Sequence, residues 1–384
     1  MGMIVLSAMC IRFFQLEDAK VWLRNQVWKQ QMPIVAFANG TSNTRNVWDP
    51  FVLNQYLLEE VYESVAIEDA YTYEQILLEE ARGENMVTPQ GDVIIYNEST
   101  VEEMGMGDEE GQEIAIQESA VFQTATDKIL TYNMEDYTEL EELVESFYVV
   151  DSQTVVDEDL LNVEELLSKN MTISGTSDDP QILIYHTHSQ ESFVDSIPGD
   201  SSTTIVGAGT ELARILEEDY GYNVIHDTTE YDLESRDEAY TLAEPALAAI
   251  LEEYPSIEVM IDLHRDATME HTQLVTTIDG VEMAQVMFFN GLSRTKEYGE
   301  ISYLPNPNLE ENLAFSFQMQ VACNEYYEGF TRKIYLKGYR YNLHFMGKSL
   351  LIELGAQTNT VDQIMNACGP IAHALHMVLS GEEP

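Results

Sequence analysis

Three cysteines in 384 residues, Cys10, Cys323 and Cys368, are too few and too scattered for a zinc ribbon or a disulfide framework. Any metal bound by this chain has to be held by histidine and carboxylate. Positive charge is scarce as well: 18 Lys and Arg stand against 68 Asp and Glu, a formal net charge of -50. Such a surface repels phosphate backbones and anionic lipid, which excludes nucleic acid as a partner. Long apolar runs are also missing at the start. Met1 to Phe14 is apolar but interrupted by Arg12; it lacks the basic beginning of a signal peptide and the roughly 20 apolar residues of a full span. It reads either as an ordinary amphipathic helix or as the clipped end of a membrane anchor.

What is present suffices for a large core: 45% hydrophobic residues, with 21 Tyr and 13 Phe. At about 150 residues per domain the length allows two to three domains. Between Phe51 and Glu165 there are 31 acidic residues against only Arg82 and Lys128, so this stretch differs in kind from the rest. Apolar residues three and four apart over Pro50 to Ala81 predict a solvated helix pair. Val101 to Ser119, with Gly105, Gly107 and Gly111 among clustered acids, reads as a linker or flexible insertion.

After about Ser174 the pattern becomes strand then helix, repeatedly. Apolar runs predict strands at Gln181 to Tyr185, Asn223 to His226, Ile257 to Leu263, Ala284 to Phe289 and Ser349 to Leu354. Helical stretches lie at Val206 to Tyr220, Arg236 to Tyr254, Asn308 to Tyr327 and Thr360 to Leu379. Continuous apolar strands separated by helices argue an α/β fold with a mostly parallel sheet flanked by helices. The expected layout is a possible truncated anchor over 1–50, an acidic, partly helical region over 51–173, and a catalytic domain over 174–384.

In open α/β sheets ligands bind beyond the carboxyl ends of the strands. Three such ends are loaded: His186, Thr187, His188, Ser189, Gln190 and Glu191 follow ILIY; His264, Arg265 and Asp266 follow VMIDL; Glu353 follows LLI. Two imidazoles and a carboxylate suit Zn²⁺ with its fourth position open, and a separate carboxylate can take the proton of the attacking water. Glu353 is placed for that general-base role, with His188, Glu191 and His264 as the metal set. His186 is a rival ligand, because alternation in an extended segment points it the same way as His188. His188, farther from the strand and closer to Glu191, is preferred, which leaves His186 to support a ligand or contact substrate. Asp262 shares the side of His264, while Arg265 and Asp266 follow in the loop; all three are expected to position ligands or substrate. His373 and His376, at i and i+3 on an apolar helix, read as packing residues. The basic run Arg332, Lys333, Lys337 and Arg340 reads as a solvated strand pair, with docking of an anionic substrate as the alternative.

These motifs resemble the stage II sporulation protein P family, cell-wall amidases and endopeptidases of endospore engulfment. The resemblance is carried by FYVVDS at Phe147, LLSKNMTI at Leu166, QILIYHTHSQESF at Gln181, YGYNVIHD at Tyr220, IDLHRD at Ile261 and LIELGAQTNT at Leu351, and it covers roughly Phe147 to Leu379. It implies a mixed sheet of the zinc amidase type, a zinc set matching His188, Glu191 and His264, and a catalytic glutamate matching Glu353. The broader amidases' Pro-Gly-His-Gly-Gly loop is replaced here by His-Thr-His, and the gap to the first glutamate is shortened. The implied reaction is zinc-dependent cleavage of the N-acetylmuramoyl-L-alanine amide of peptidoglycan, with peptide cross-links as further substrate. The resemblance also implies an N-terminal membrane anchor, a location outside the cytoplasm at the engulfing septum, and stage II sporulation proteins D and M as partners. A zinc carboxypeptidase-like peptidase and a non-catalytic peptidoglycan-binding scaffold are the alternatives.

Overall fold

The computed structural model describes residues 124–173, 178–269 and 272–381. The apolar start, the helix pair over 50–81 and the linker over 101–119 lie outside them. In chain order the main elements are α1 (Leu140–Phe147), β1 (Tyr148–Val150), α2 (Val163–Ser168), β2 (Ile182–Tyr185), α3 (Ile205–Glu218), β3 (Val224–His226), α4 (Ala239–Glu253) and β4 (Val259–Asp266). There follow the hairpin β5 (Val275–Ile278) and β6 (Val281–Ala284), then β7 (Val286–Gly291), the short pair β8 (Arg294–Thr295) and β9 (Gly299–Glu300), α5 (Leu309–Tyr326), β10 (Ile334–Lys337), β11 (Ser349–Ala356) and α6 (Val361–Ser380).

Seven strands form one mixed sheet in the order β1-β10-β7-β11-β4-β2-β3. Every neighbouring pair is parallel except β7 and β11. The carboxyl ends of β2, β3, β4 and β11 therefore share one edge, and those of β1, β10 and β7 point to the other. Side chains alternate across the sheet. One face presents Ile182, Ile184, Ile261, Leu263, Phe288, Leu350 and Ile352, which pack in one core with residues of α1, α2, α3, α5 and α6. The opposite face carries Leu183, Tyr185 and Met260 against Ala239, Ala243 and Leu247 of α4. Beside them Leu351, Met287 and Phe289 pack with Tyr341.

Strands buried on both faces are apolar at every position, which is why ILIY and SLLI read as unbroken hydrophobic runs. Helix α6 is fixed at both ends by local chemistry. Thr360 and Gln363 form a reciprocal capping box at its start, and Gly381 closes it in the left-handed region at φ 69°.

Three expectations are corrected. The boundary at 174 does not hold: β1 pairs with β10 as an edge of the main sheet, and Leu143, Phe147, Leu161 and Met171 lie in its core. The run from Ala284 to Phe289 is two strands, because Gln285 turns its backbone N–H to Leu274 O and its side chain to Gly329 O. The basic run is not a solvated strand pair. β10 lies inside the sheet with all four residues buried, Arg332 is paired with Asp266, and Arg340 with Glu244. Among the described residues no helix is long and apolar enough to cross a membrane.

Candidate active site

Four of the expected residues meet at the carboxyl edge on the α4 side of the sheet. In the parallel register Glu353 of β11 lies opposite His264 of β4, so neighbouring strands about 4.8 Å apart present both side chains to the same face. The register runs in step as far as Glu353 and shifts directly after it, where Gly355 takes φ 60°. A β-carbon at Gly355 would lie 2.7 Å from Ile364 Cδ1 and 2.8 Å from Asn359 Oδ1, so both the conformation and the space require glycine.

The loop after β2 supplies His188 and Glu191, and it is clamped by carboxylates from two other segments. Asp262 of β4 accepts from Thr187 N at 2.9 Å and Thr187 Oγ1 at 2.7 Å. Asp232, six residues beyond β3, accepts from Ser189 N at 3.1 Å, Ser189 Oγ at 2.7 Å and Gln190 N at 3.2 Å. His188 is held between the two clamps. Its Nδ1 lies 3.8 Å from Asp232 Oδ2, and its ring centroid is 5.3 Å from that of His264. His264 Nε2 lies 2.8 Å from Asp262 Oδ1. That places a buried carboxylate directly beside the His264 ring.

Glu191 completes the group. Its Oε1 accepts from Arg236 Nη2 at 3.0 Å, its Oε2 accepts from the backbone N–H of Arg265 at 2.8 Å, and Oε2 stands 3.8 Å from His264 Nδ1. Burial pushes this carboxyl up, but the His264 imidazole and the Arg265 and Arg236 guanidiniums outweigh it and hold the group below the ordinary carboxylate range.

The donor set suits zinc in kind: two imidazoles, each near a buried carboxylate, and one carboxylate oxygen. Two ligands of one tetrahedral zinc ion lie about 3.3 Å apart, given bonds of about 2.0–2.1 Å. The 3.8 Å between Glu191 Oε2 and His264 Nδ1 approaches that spacing. Among the described residues, however, no three such side chains are already drawn in as a group that could hold a metal.

His186 departs from the expectation. β2 ends at Tyr185 and the chain turns, so His186 and His188 do not point the same way. His186 lies fully buried against α3: Nδ1 donates to Leu263 O at 2.7 Å, and Nε2 meets His226 Nε2 at 2.8 Å. Burial, then the neighbouring His226, pushes its pKa down to about 3, so it is neutral. Gly209 makes the approach possible, because a β-carbon there would fall within 2.6 Å of both rings. His186 thus supports the residue preceding His264 and is closed to solvent. Arg265 and Asp266 are the last residues of β4, not loop residues. Arg265 fixes Glu191 through its backbone and donates from its side chain to Ser192 O, while Asp266 is paired with Arg332 Nη1 at 2.6 Å. His373 and His376 pack against Tyr327 and Tyr220, far from the sheet edge in sequence and in partners.

Asp232, Arg236 and Tyr240 escaped the reading of the sequence. All three follow β3, whose end belongs to the same edge as those of β2, β4 and β11; that position points to the segment but does not single out Asp232 within it.

A family model described as Stage II sporulation protein P (SpoIIP) matches residues 70–376. Stage II sporulation protein P of Bacillus subtilis (strain 168) is 23% identical over 215 residues, 51% of this chain and 50% of that protein, so the match spans about half the length of that curated relative. Among solved structures, the CwlD amidase from Clostridioides difficile in complex with the GerS lipoprotein is 13% identical, with 53% of this chain and 100% of that one covered at a TM-score of 0.33. The N-acetylmuramyl-L-alanine amidase Ami1 from Mycobacterium smegmatis is likewise 13% identical, with 56% and 100% covered at a TM-score of 0.33. Likeness at that level assigns no residue and no reaction. The family match extends over well more than half of the sequence and takes in every element from α1 to β11: the chain belongs to the stage II sporulation protein P family.

Proposed function

We propose that this chain is a zinc-dependent cell-wall hydrolase acting in sporulation, and that it cleaves the amide between N-acetylmuramic acid and L-alanine in peptidoglycan. The observation that carries the reading is the register of Glu353 against His264, beside a loop that brings His188 and Glu191 to the same buried edge. Family membership supports the sporulation role. Zinc held by His188, Glu191 and His264 would acidify a water and polarise the amide carbonyl. The remaining work falls to this chain's own groups. Glu353 takes the proton of the attacking water and passes it to the leaving nitrogen, so that the amine departs neutral. Asp262 sets a carboxylate beside the His264 ring, and Arg236 and the Arg265 amide hold the Glu191 carboxylate ionised and oriented. Because peptide cross-links are also amides, the same groups would cut them. The reading extends to a site of action outside the cytoplasm, on the wall, alongside stage II sporulation proteins D and M.

The test is zinc content and product analysis on purified sacculi. The amidase reading requires bound zinc and new L-alanine amino termini together with free muramic lactyl carboxylates. Intact sacculi and a zinc-free protein would overturn it.

A further inference from the structure

The segment from Asp232 to Tyr240 touches each of the three candidate ligands, although it contributes none of them. Asp232 binds the loop of His188 through three hydrogen bonds, with Oδ2 3.8 Å from His188 Nδ1. Four residues on, Arg236 binds Glu191 Oε1. Four further, Tyr240 packs edge-on against His188 at 5.7 Å and parallel to His264 at 6.4 Å and 9°. Its backbone carbonyl accepts from Asn342 Nδ2 at 3.1 Å. Asn342 and its neighbour Tyr341 both hold left-handed backbone, at φ 55° and 48°. Such a conformation is costly for residues with side chains and persists where the surroundings enforce it.

Asp232 and Asp262 are arranged alike. Each accepts the backbone N–H and the hydroxyl of one residue flanking His188, Ser189 in one case and Thr187 in the other, and each lies beside one histidine. A carboxylate behind a ligating imidazole fixes its tautomer and raises its basicity toward a metal.

Resting on the zinc reading above, we infer that Asp232 is a positioning residue of the metal site. Its carboxylate fixes the loop through both Oδ1 and Oδ2 and stands 3.8 Å from His188 Nδ1, where its charge favours and orients the imidazole toward a metal. Arg236 and Tyr240 anchor the same segment against Glu191 and the two rings, so the sequence after β3 sets the geometry of ligands delivered by β2 and β4.

The experiment measures zinc affinity of the full chain by competition with a chromophoric chelator at neutral pH, with thermal melting of the zinc-free protein alongside. Asp232→Asn is expected to weaken zinc binding about 10–100-fold, the usual cost of removing such a partner. Ser189→Ala removes a hydrogen bond of the same clamp but leaves the carboxylate beside His188, and it is expected to change zinc affinity less than threefold. Equal losses in the two variants would mean that Asp232 only secures the loop, and the inference would be overturned. Unchanged zinc affinity in Asp232→Asn would overturn it as well, while leaving the zinc reading intact. If Asp232→Asn does not fold, Asp232→Glu replaces it: the longer carboxylate is expected to keep the fold and still weaken zinc, and unchanged affinity there refutes the role. A wild-type chain that binds no zinc sinks the metal reading, and this inference falls with it.

Discussion

The two faces of the central sheet are built from the same strands, yet they do different things. On the α3, α5 and α6 face the inward residues of β4 are Val259, Ile261 and Leu263, and those of β11 are Leu350, Ile352 and Leu354. On these two strands that face is apolar as far as Leu263 and Leu354. On the α4 face the sequence changes along the strand: Met260 gives way to Asp262, His264 and Asp266, and Leu351 gives way to Glu353. Apolar side chains hold the amino-terminal half of this face against α4, and ionisable ones occupy the carboxyl edge. Burying those charges is unfavourable unless they find partners, and other segments supply them for two of the aspartates: Thr187 donates to Asp262 and Arg332 pairs with Asp266. Stability and chemistry are thus separated by the two-residue alternation of a strand, so that adjacent residues such as Leu263 and His264 can be altered with opposite consequences.

The sharpest separation is expected at Glu353 and its neighbour. Glu353→Gln should lower the rate of amide cleavage by about 10²–10⁴-fold, the range for a lost general acid–base group, with zinc content and melting temperature retained. Loss of zinc in that variant would show that Glu353 belongs to the metal set instead. Ile352→Ala, one residue away on the other face, should cost about 2–5 kcal/mol in chemical denaturation, with the surviving folded protein still competent to bind metal. A folded, stable Ile352→Ala that has lost zinc would break the division between the faces.

Asp262→Asn should weaken zinc binding about 10–100-fold, because His264 loses the carboxylate beside its ring. Retention of full zinc affinity there would remove the charged face's claim to a metal. The smallest effect is expected from pH at the packing helices. Burial, and then the nearby His376, push the pKa of His373 down to about 4, whereas in the unfolded chain it titrates near its ordinary 6.5. The unfolded chain therefore binds the extra proton first, and the stability present above pH 6.5 is lost progressively as pH falls toward 4. Melting curves over that range should show a decline that His373→Gln flattens.

Much of the fold was legible because burial on both faces writes itself into consecutive residues. The runs at 181–185, 257–263 and 349–354 and the helices between them needed no knowledge of their partners. β1 was not legible, since three residues, YVV, at the end of an acidic stretch carry too little pattern to stand out. β10 was obscured by Arg332, Lys333, Lys337 and Arg340, charges that local reading assigns to solvent, whereas Arg332 and Arg340 are ion-paired and Lys333 donates to Glu145 O. In the site, the residues at the ends of β2, β4 and β11 could be named from their positions, while the facing of His186 depended on β2 stopping at Tyr185. Asp232 had no local signal, because an aspartate among acidic neighbours looks like any solvated one until its partners are known.

The sequence by itself determined which segments become strands and helices and which residues stand at strand ends, because apolar periodicity is a relation among near neighbours in the chain. Only the tertiary structure decided which strand ends share an edge, that His186 turns to α3 and His188 to the site, and that Asp232 meets Ser189 and Gln190. Those outcomes depend on strand order and on the closure of long loops, and the energies that select them exist only once distant segments are in contact.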